Sequence, residues 1–489
     1  MRHVIQKLWI AIIMLCLSIS ASAYDFSKDG ICYKITSESD RTVEVTYLHD
    51  SADYNGSYGS GEIDIPSKLI YNGKTYTVVA IGHHAFDGSR GLTSVIIPKS
   101  VTEIGSSAFR KCRNLAKVTI PNSVIEIGSS AFETCTSLSE VTLSDNLKTI
   151  YDYAFHNCWS ISNISIPSSV ERIGYGAFMD CSNLSMINVA ESNGSYTSED
   201  GVLFTKDKSC VVQYPVARKS QVYLLPETIS IIGGGAFRNC KNLTTIHLPN
   251  NIYIIEQEAF SYCSGLLNIT LPDNIVEIGN AAFRSCGSLS ECILPNKLTS
   301  ISDYLFEDCN SLNKIILPNS LISVGYDSFK NCKSLIKVEF PDSLQKLDNG
   351  SFSGCGLITL NLPPSIKEIR YNAFGNCPIE DIFCNWTDPI ECSNGAFSSW
   401  RYSIAKLYIP IGTTSKYITI DPWRNFFDII ESEQCSSIEN NLYNPLEIFD
   451  IYNIKGLLVK RSININELYS LPHGIYIVKS EGKTLKIKI

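Results

Sequence analysis

Eighteen cysteines give this chain most of its reactive side chains. Thiolates attack, ligate metals and, in exported chains, pair into disulfides. Eleven of the 18 stand three residues after a recurring Phe: Cys112, Cys135, Cys158, Cys181, Cys240, Cys263, Cys286, Cys309, Cys332, Cys355 and Cys377. Stacked one repeat apart, such a column meets the disulfide Cα separation, but its parallel side-chain vectors fit the bridge poorly. Four ligands on a line make no tetrahedron for zinc. The column is therefore expected as buried thiols, packing as small apolar groups. Off register lie Cys32, Cys210, Cys292, Cys384, Cys392 and Cys435, of which Cys384 and Cys392 make the best-placed pair for a bridge.

Other chemistry is thin. Among seven His, the one adjacent pair is His83-His84, whose side chains must point apart, so both are expected at the surface. The chain holds no H-E-x-x-H, no G-x-S-x-G, no phosphate loop and no dinucleotide fingerprint. Gly233-Gly234-Gly235 reads as a turn. Glycoside hydrolysis needs two facing carboxylates, yet Glu140, Glu291 and Glu339 stand on different strands with no acidic neighbour on the same strand. No catalytic residue, cofactor site or metal site is expected, and the chain reads as no enzyme. Hydrophobic residues make up 44% of the 489 and charged residues only 18%, which allows a large core under a surface of Ser, Thr and Asn. A net charge of -8 without a Lys/Arg run points away from nucleic acid.

What positions these residues is a repeat. The phrase Ala-Phe-x-x-Cys returns with its Phe at 86, 109, 132, 155 and 178, then at 237, 260, 283, 306, 329 and 352, each 23 apart, and finally at 374 and 397. A full unit runs Ala108-Phe109-x-x-Cys112-x-x-Leu115-x-x-Val118-x-Ile120-Pro121-x-x-Val124-x-x-Ile127-Gly128. The Leu-x-x-Val-x-Ile segment alternates as a short strand does, and Pro121 ends it. Val124 and Ile127 share one side of a turn; Ala108, Phe109 and Cys112 point inward from a helical or 3₁₀ turn. Each unit is one coil of a right-handed spiral with one short parallel strand per 23-residue coil. One coil cannot bury its own apolar face, so the coils stack, over roughly 60 Å at the ~4.8 Å strand spacing.

The phrase seen almost intact from Leu266 to Cys286 resembles the BspA-like leucine-rich repeats of bacterial surface proteins, over residues 60 to 430 or so. The resemblance implies a repeat solenoid that binds extracellular macromolecules. The glycine after the last Ile (Gly105, Gly128, Gly174, Gly233, Gly279, Gly325) is elsewhere Tyr151, Glu256, Ser302, Asp348 or Arg370, so a positive φ is not required there. Ser144 and Ala190 replace the Pro. Between Phe178 and Phe237 the spacing is 59. The insert at 191–223 contains Asp200-Gly201 between two strand-like runs, a β-hairpin extension, and Gln213-Tyr214-Pro215.

The ends read differently. Arg2, His3 and Lys7, an apolar run from Leu8 to Ile19, and Ala21-Ser22-Ala23 make a secretory signal peptide over 1–23. No other segment approaches the length of a membrane span. Residues 24–80 form a β-rich N-terminal cap, with a hairpin turn at Asn72-Gly73. The solenoid occupies 81–431. Lys406 to Ile409 is its last strand, and Tyr417, Trp423, Phe426 and Phe427 roof it. A polar linker, 432–444, leads to a small all-β domain, 445–489, with three strands: Leu446 to Ile454, Gly474 to Lys479 and Thr484 to Ile489. Its runs Ile451 to Val459 and Leu471 to Val478 resemble the C-terminal sorting domain of type IX secretion cargo, which implies an outer-membrane export machinery as partner, attachment at the cell surface, and a Gram-negative origin of the Bacteroidetes type.

The remaining candidate is a face. The outward strand positions Lys117, Thr119, Glu140, Thr142, Asn163, Met186, Thr245, His247, Asn268, Lys314, Ile316, Lys337 and Glu339 line a broad, nearly neutral surface suited to an extracellular protein or glycan. The expected function is surface adhesion, binding a host or neighbouring-cell macromolecule; the alternative is a structural spacer without a specific ligand.

Overall fold

The structure, a computed structural model, describes residues 24–47, 58, 61–433, 449–453, 458–463, 475–480 and 483–488. The proposed signal peptide and most of the 432–444 linker lie outside the described residues.

In each coil the Leu-x-x-Val-x-Ile phrase is extended. Lys117–Thr119 runs exposed, buried, exposed and pairs in parallel with the next coil as Lys117↔Glu140, Val118↔Val141 and Thr119↔Thr142. Repetition of this step gives a parallel β-solenoid of about 15 turns with about 23 residues per turn. A second, shorter ladder accompanies it. Glu126–Ile127 pairs with Glu103–Ile104 before it and Thr149–Ile150 after it. Ile127, placed by its spacing on a turn with Val124, thus sits in a two-residue strand with its side chain wholly buried.

The Ala-Phe-x-x-Cys phrase crosses between the ladders as linked tight turns. Residues two before and two after the Phe adopt positive φ, as Ser107 (57°) and Lys111 (59°) do around Phe109. Their N–H groups and that of the Phe then point along the spiral: Ser107, Phe109 and Lys111 donate to the carbonyls of Ser129, Ala131 and Glu133 at 2.8, 2.7 and 2.7 Å. Asn157, Asp180, Asn239, Asp308, Asn331 and Asn376 take the second left-handed place, where a short polar side chain softens the strain. The repeat glycine serves another need. A Cβ on Gly128 would stand 2.5 Å from the Ser106 nitrogen, and one on Gly279 2.4 Å from that of Gln257. Glycine there lets the preceding coil pass close by.

Phenylalanine forms the spine. The rings of Phe86, Phe109 and Phe132 stack with centroids 5.1 Å apart and planes 6° apart, and the column resumes from Phe237 to Phe397. Tyr214, inside the insert, occupies the missing seat: it stacks on Phe237 at 5.1 Å, and its N–H reaches the Ala236 carbonyl at 2.8 Å, as the Phe109 N–H reaches that of Ala131. The long step therefore contains a coil of its own. Ahead of it, Tyr196–Glu199 and Val202–Thr205 form an antiparallel hairpin around Asp200-Gly201. Val202–Thr205 partitions the interior: Leu203 packs with the N-terminal core, Val202 and Phe204 with the C-terminal one, as strand alternation requires.

The N-terminal strands extend the shorter ladder. Phe26–Lys28, Ile31–Ser37, Thr42–Thr46 and Lys74–Ile81 lead directly into Glu103–Ile104. Lys68–Tyr71 folds back on Lys74–Ile81 through Asn72 (φ 49°) and Gly73 (φ 73°). At the other end Tyr417, Trp423 and Phe426 are buried over the last coils, with Trp423 5.9 Å from Phe397. Phe427 does not join the roof. It is 89% exposed, because its neighbour Phe426 takes the inward side. Lys406–Ile409 is not the last strand either, since Asp428–Glu431 pairs beyond it in parallel. In the C-terminal segment four strands, rather than three, form an antiparallel sheet: Leu458–Ile463, Phe449–Asn453, Ile475–Ser480 and Lys483–Lys488, in that spatial order. The polar run Lys460-Arg461-Ser462 hid the first of these. Among the described residues no helix is long and apolar enough to cross a membrane.

Phe283 sits mid-column, fully buried between Phe260 and Phe306. Phe283→Ala is expected to cost about 3–5 kcal/mol in chemical denaturation with the circular dichroism spectrum unchanged; a loss under about 1 kcal/mol would remove the spine from its structural role.

Candidate interaction surface

The thiol column forms as buried, unpaired groups. Cys112, Cys135, Cys158 and Cys181 each donate Sγ–H to the carbonyl of the Phe one coil back, all at 3.1 Å, and Cys263 to Cys377 do so at 2.9 to 3.2 Å. Cys240 is the exception. Its acceptor would be the Tyr214 carbonyl, which instead takes the Gln213 side-chain amide at 3.1 Å. Burial pushes the thiols up, Cys181 and Cys377 to about 12 and Cys135, Cys158 and Cys309 further. These five keep their protons at neutral pH. Cys392 remains a buried thiol, so it forms no bridge with Cys384. His83 and His84 diverge: His83 Nδ1 accepts the Ser106 N–H at 3.0 Å, while His84 Nδ1 lies 3.0 Å from Asp87 Oδ2.

The outward strand residues are where alternation puts them. Lys117, Thr119, Glu140, Thr142, Asn163, Met186, His247, Asn268, Lys337 and Glu339 are exposed, while Thr245, Lys314 and Ile316 are half-buried. Register joins several in neighbouring pairs, Asn163 beside Met186 and Thr245 beside Asn268. The acidic members are matched by lysines: Lys117–Glu140 at 2.9 Å, Lys314–Glu291 at 3.7 Å and Lys337–Glu339 at 3.2 Å. Lys337 and Glu339 stand on a segment outside the named strands. There Phe340 fills the place that Leu317 takes one coil earlier, with its ring edge-on to Phe352 at 5.4 Å. Between the polar residues stand apolar ones, Leu267 (50% exposed), Ile293 (59%) and Ile336 (56%).

A second surface was missed from sequence. The residue after the spine Phe lies on the turns, and in two runs of coils it alternates in charge: Asp87, Arg110, Glu133 and His156, then Arg284, Glu307 and Lys330. Arg110 grips the buried Asp87 carboxylate with Nη2 at 2.6 Å and Nε at 3.1 Å from Oδ2. Arg284 meets Glu307 at 2.8 Å, and Lys330 meets it at 3.5 Å. Sign alternation at the repeat spacing was the available signal. At the insert this row closes over the break in the core. Asp180 accepts from Arg238 Nε at 3.0 Å and from the Asn239 amide at 2.5 Å, 58 and 59 residues away. Arg238 also meets Glu258 at 3.1 Å, and Tyr175 donates its hydroxyl to Glu258 at 3.1 Å. His156 stands between Glu133 (3.5 Å) and Asp180 (3.4 Å). Burial opposes charge on His156, but its bonds to Asp180 and Glu133 prevail and hold it up to about 9. Burial likewise disfavours the Asp180 anion, yet His156, Arg238 and Asn239 bring it down to about 2. At neutral pH this histidine keeps its proton, so it clamps and cannot serve as a base.

The repeat matches a known sequence family, the BspA type leucine-rich repeat region, over residues 62–199, 220–336 and 322–444. No curated protein matches the chain. Among solved structures, a leucine-rich repeat protein from Eubacterium ventriosum is 23% identical over 72% of this chain and 94% of its own, at TM-score 0.55. The pneumococcal vaccine antigen PcpA is 21% identical over 84% of this chain and 99% of its own, at TM-score 0.51. A leucine-rich repeat protein from Bacteroides ovatus is 27% identical over 84% and 100%, at TM-score 0.49.

The clamp carries a pH signature. His156, raised from 6.5 to about 9, contributes stability in full below 6.5 and loses it as pH rises through 9; Asp180, lowered from 3.8 to about 2, contributes above 3.8 and loses it as pH falls through 2. His156→Gln should therefore cost about 1.5–3 kcal/mol at pH 6 and nearly nothing near pH 10, read as the gap between wild-type and variant denaturation curves; a gap independent of pH contradicts the charged clamp.

Proposed function

The chain belongs to the BspA-type leucine-rich-repeat family, and on that premise we propose that it is an exported surface protein that binds a host or neighbouring-cell macromolecule through the outer face of its longer ladder. Members of such a surface family act as scaffolds for protein binding. The observation that carries the reading is the composition of that face: hydroxyl, amide and apolar groups in rows, with most charges paired to each other across or along strands. A solvated wall has no use for Leu267, Ile293 and Ile336 at half exposure or more. A binding face gains from each apolar group that a partner covers. The carboxylates of Glu140, Glu291 and Glu339 on this face are each held by a lysine, and the reading is of a binder, not an enzyme.

The ion pairs Lys117–Glu140, Lys314–Glu291 and Lys337–Glu339 favour a second reading. A spacer also needs a neutral, self-satisfied flank. The two readings part on deletion. Removing two coils in register between Phe260 and Phe306 leaves a spacer working at reduced length, whereas a binding face loses contacts. The test is retention on an immobilised panel of extracellular-matrix proteins. Wild type should bind at least one, and the pair Ile293→Lys with Ile316→Lys, adjacent across the ladder, should weaken it by about tenfold or more; a panel without binding removes the adhesin reading.

Export follows from the two termini. Residues 1–23 read as the leader, and the 445–489 domain as the address for a type IX outer-membrane machinery in a Gram-negative cell. Truncation at residue 444 should leave the solenoid inside the cell envelope and off the surface, as scored by surface proteolysis of intact cells; unchanged surface display overturns the address.

A further inference from the structure

The insert breaks the longer ladder and treats its two lips differently. On the N-terminal lip, Met186–Val189 pairs backwards with Asn163–Ile166, and its forward edge is covered. The Gly201 carbonyl accepts the Ile187 N–H at 3.0 Å, and Ser198 Oγ accepts the Val189 N–H at 3.0 Å. On the C-terminal lip, Val222–Leu224 pairs forward with Thr245–His247. That ladder uses the main chain of Gln221, Tyr223 and Leu225: the Thr245 N–H reaches the Gln221 carbonyl at 3.1 Å, and the Leu225 N–H donates to His247 at 3.2 Å. Alternation turns the N–H and C=O groups of Val222 and Leu224 the other way. In a regular coil a preceding strand receives them, as Lys117 has Ser94. Here, among the described residues, no strand or backbone partner stands on that side.

The side chains agree. Val222 is 55% exposed and Leu224 69%, with Met186 on the opposite lip at 45%. Sheets usually blunt an open edge with charge, proline or a bulge, and this strand has none of these. The lips touch where the Ala217 N–H meets the Leu184 carbonyl at 2.8 Å and part beyond it, where the Ile187 N–H takes the Gly201 carbonyl in place of that of Val222. Charge of both signs stands at the entry, with Glu199, Asp200 and Arg218 all near Tyr223. The Arg218 guanidinium lies over the rings of Tyr214 and Tyr223 at 5.4 and 6.0 Å and donates to the Asp200 carbonyl, and exposed Lys219 follows it.

We propose that this edge is a docking site for one extended polypeptide segment of a partner, added as a strand beside Val222–Leu224. The inference rests on the surface-binding reading and names its partner's chemistry. The segment carries β-branched or other apolar residues at alternate positions, to lie beside Val222 and Leu224, and an acidic residue where it meets Arg218 and Lys219. Main-chain bonds hold it and the alternate side chains select it.

The probe is a labelled, end-blocked hexapeptide, Glu-Val-Thr-Val-Thr-Val, followed by fluorescence anisotropy with the full chain. Saturable binding below about 1 mM is expected. A probe with Pro in place of the middle Val, or the variant Leu224→Pro, should weaken it by about tenfold or more. Leu224→Pro deletes one outward N–H and spares the ladder to Thr245–His247. Should the proline variant unfold, Leu224→Lys, which leaves the backbone whole and removes an apolar contact for the probe, is expected to weaken binding in its place. Amide exchange reads the edge directly: Val222 and Leu224 exchange faster than Tyr223 and Leu225 in the free chain and slow when the probe binds. No saturable binding, wild-type affinity in both Leu224 variants, or equal exchange at all four amides overturns the proposal. A matrix protein bound alike by wild type and the Leu224 variants, with no probe binding, sinks the edge and leaves the surface-binding reading standing; probe binding with a silent matrix panel does the reverse.

Discussion

A coil of this chain has two needs that only another coil can meet. Its Phe ring has two apolar faces, each covered by the ring of a neighbour about 5 Å away. Its main chain also points hydrogen-bonding groups along the spiral axis on the sheet flank, the short-ladder flank and the turn flank, and each must find a partner in the adjacent coil or face water. The array is therefore cooperative between nearest neighbours and indifferent to distant ones. The positive-φ pairs around each Phe belong to the same constraint, since without them the turn flank could not aim its N–H groups at the next coil.

The same constraint explains the expense of an insertion. Thirteen residues more than a regular coil enter between Phe178 and Tyr214, a step of 36 where 23 is the rule, and both ladders and the spine are interrupted. Repair comes from three sources. Val202–Thr205 supplies apolar side chains to both cores. Gln213 replaces a thiol with an amide. Asp180, Arg238, Asn239, Glu258 and His156 bind the turn flank across the gap. Among the described residues the Val222–Leu224 edge is left without a substitute.

Legibility follows periodicity. The spine, the strand phrase and the thiol column recur at 23, so they could be read directly from spacing. The second ladder could not, because two residues such as Glu126-Ile127 are too short to show alternation. Tyr214 is invisible to a pattern built on Phe, although Gln213-Tyr214 stands 23 before Ala236-Phe237. The ion row shows itself only when its members are taken as one position of the repeat and not as separate charges. Contacts such as Asp180 to Arg238 depend on how the hairpin folds away and leave no trace in spacing. Phe427 was misplaced by adjacency: Phe426 and Phe427 are both aromatic, and spacing does not say which of two neighbours after a short turn faces inward.

The sulfur column has a consequence for where such a chain can live. Among the described residues every thiol of the column but Cys240 is buried and capped by a carbonyl one coil away, so the column adds no cross-links to the scaffold. The packing of the column therefore calls for no oxidising setting, unlike that of small extracellular scaffolds that rely on oxidised cystine.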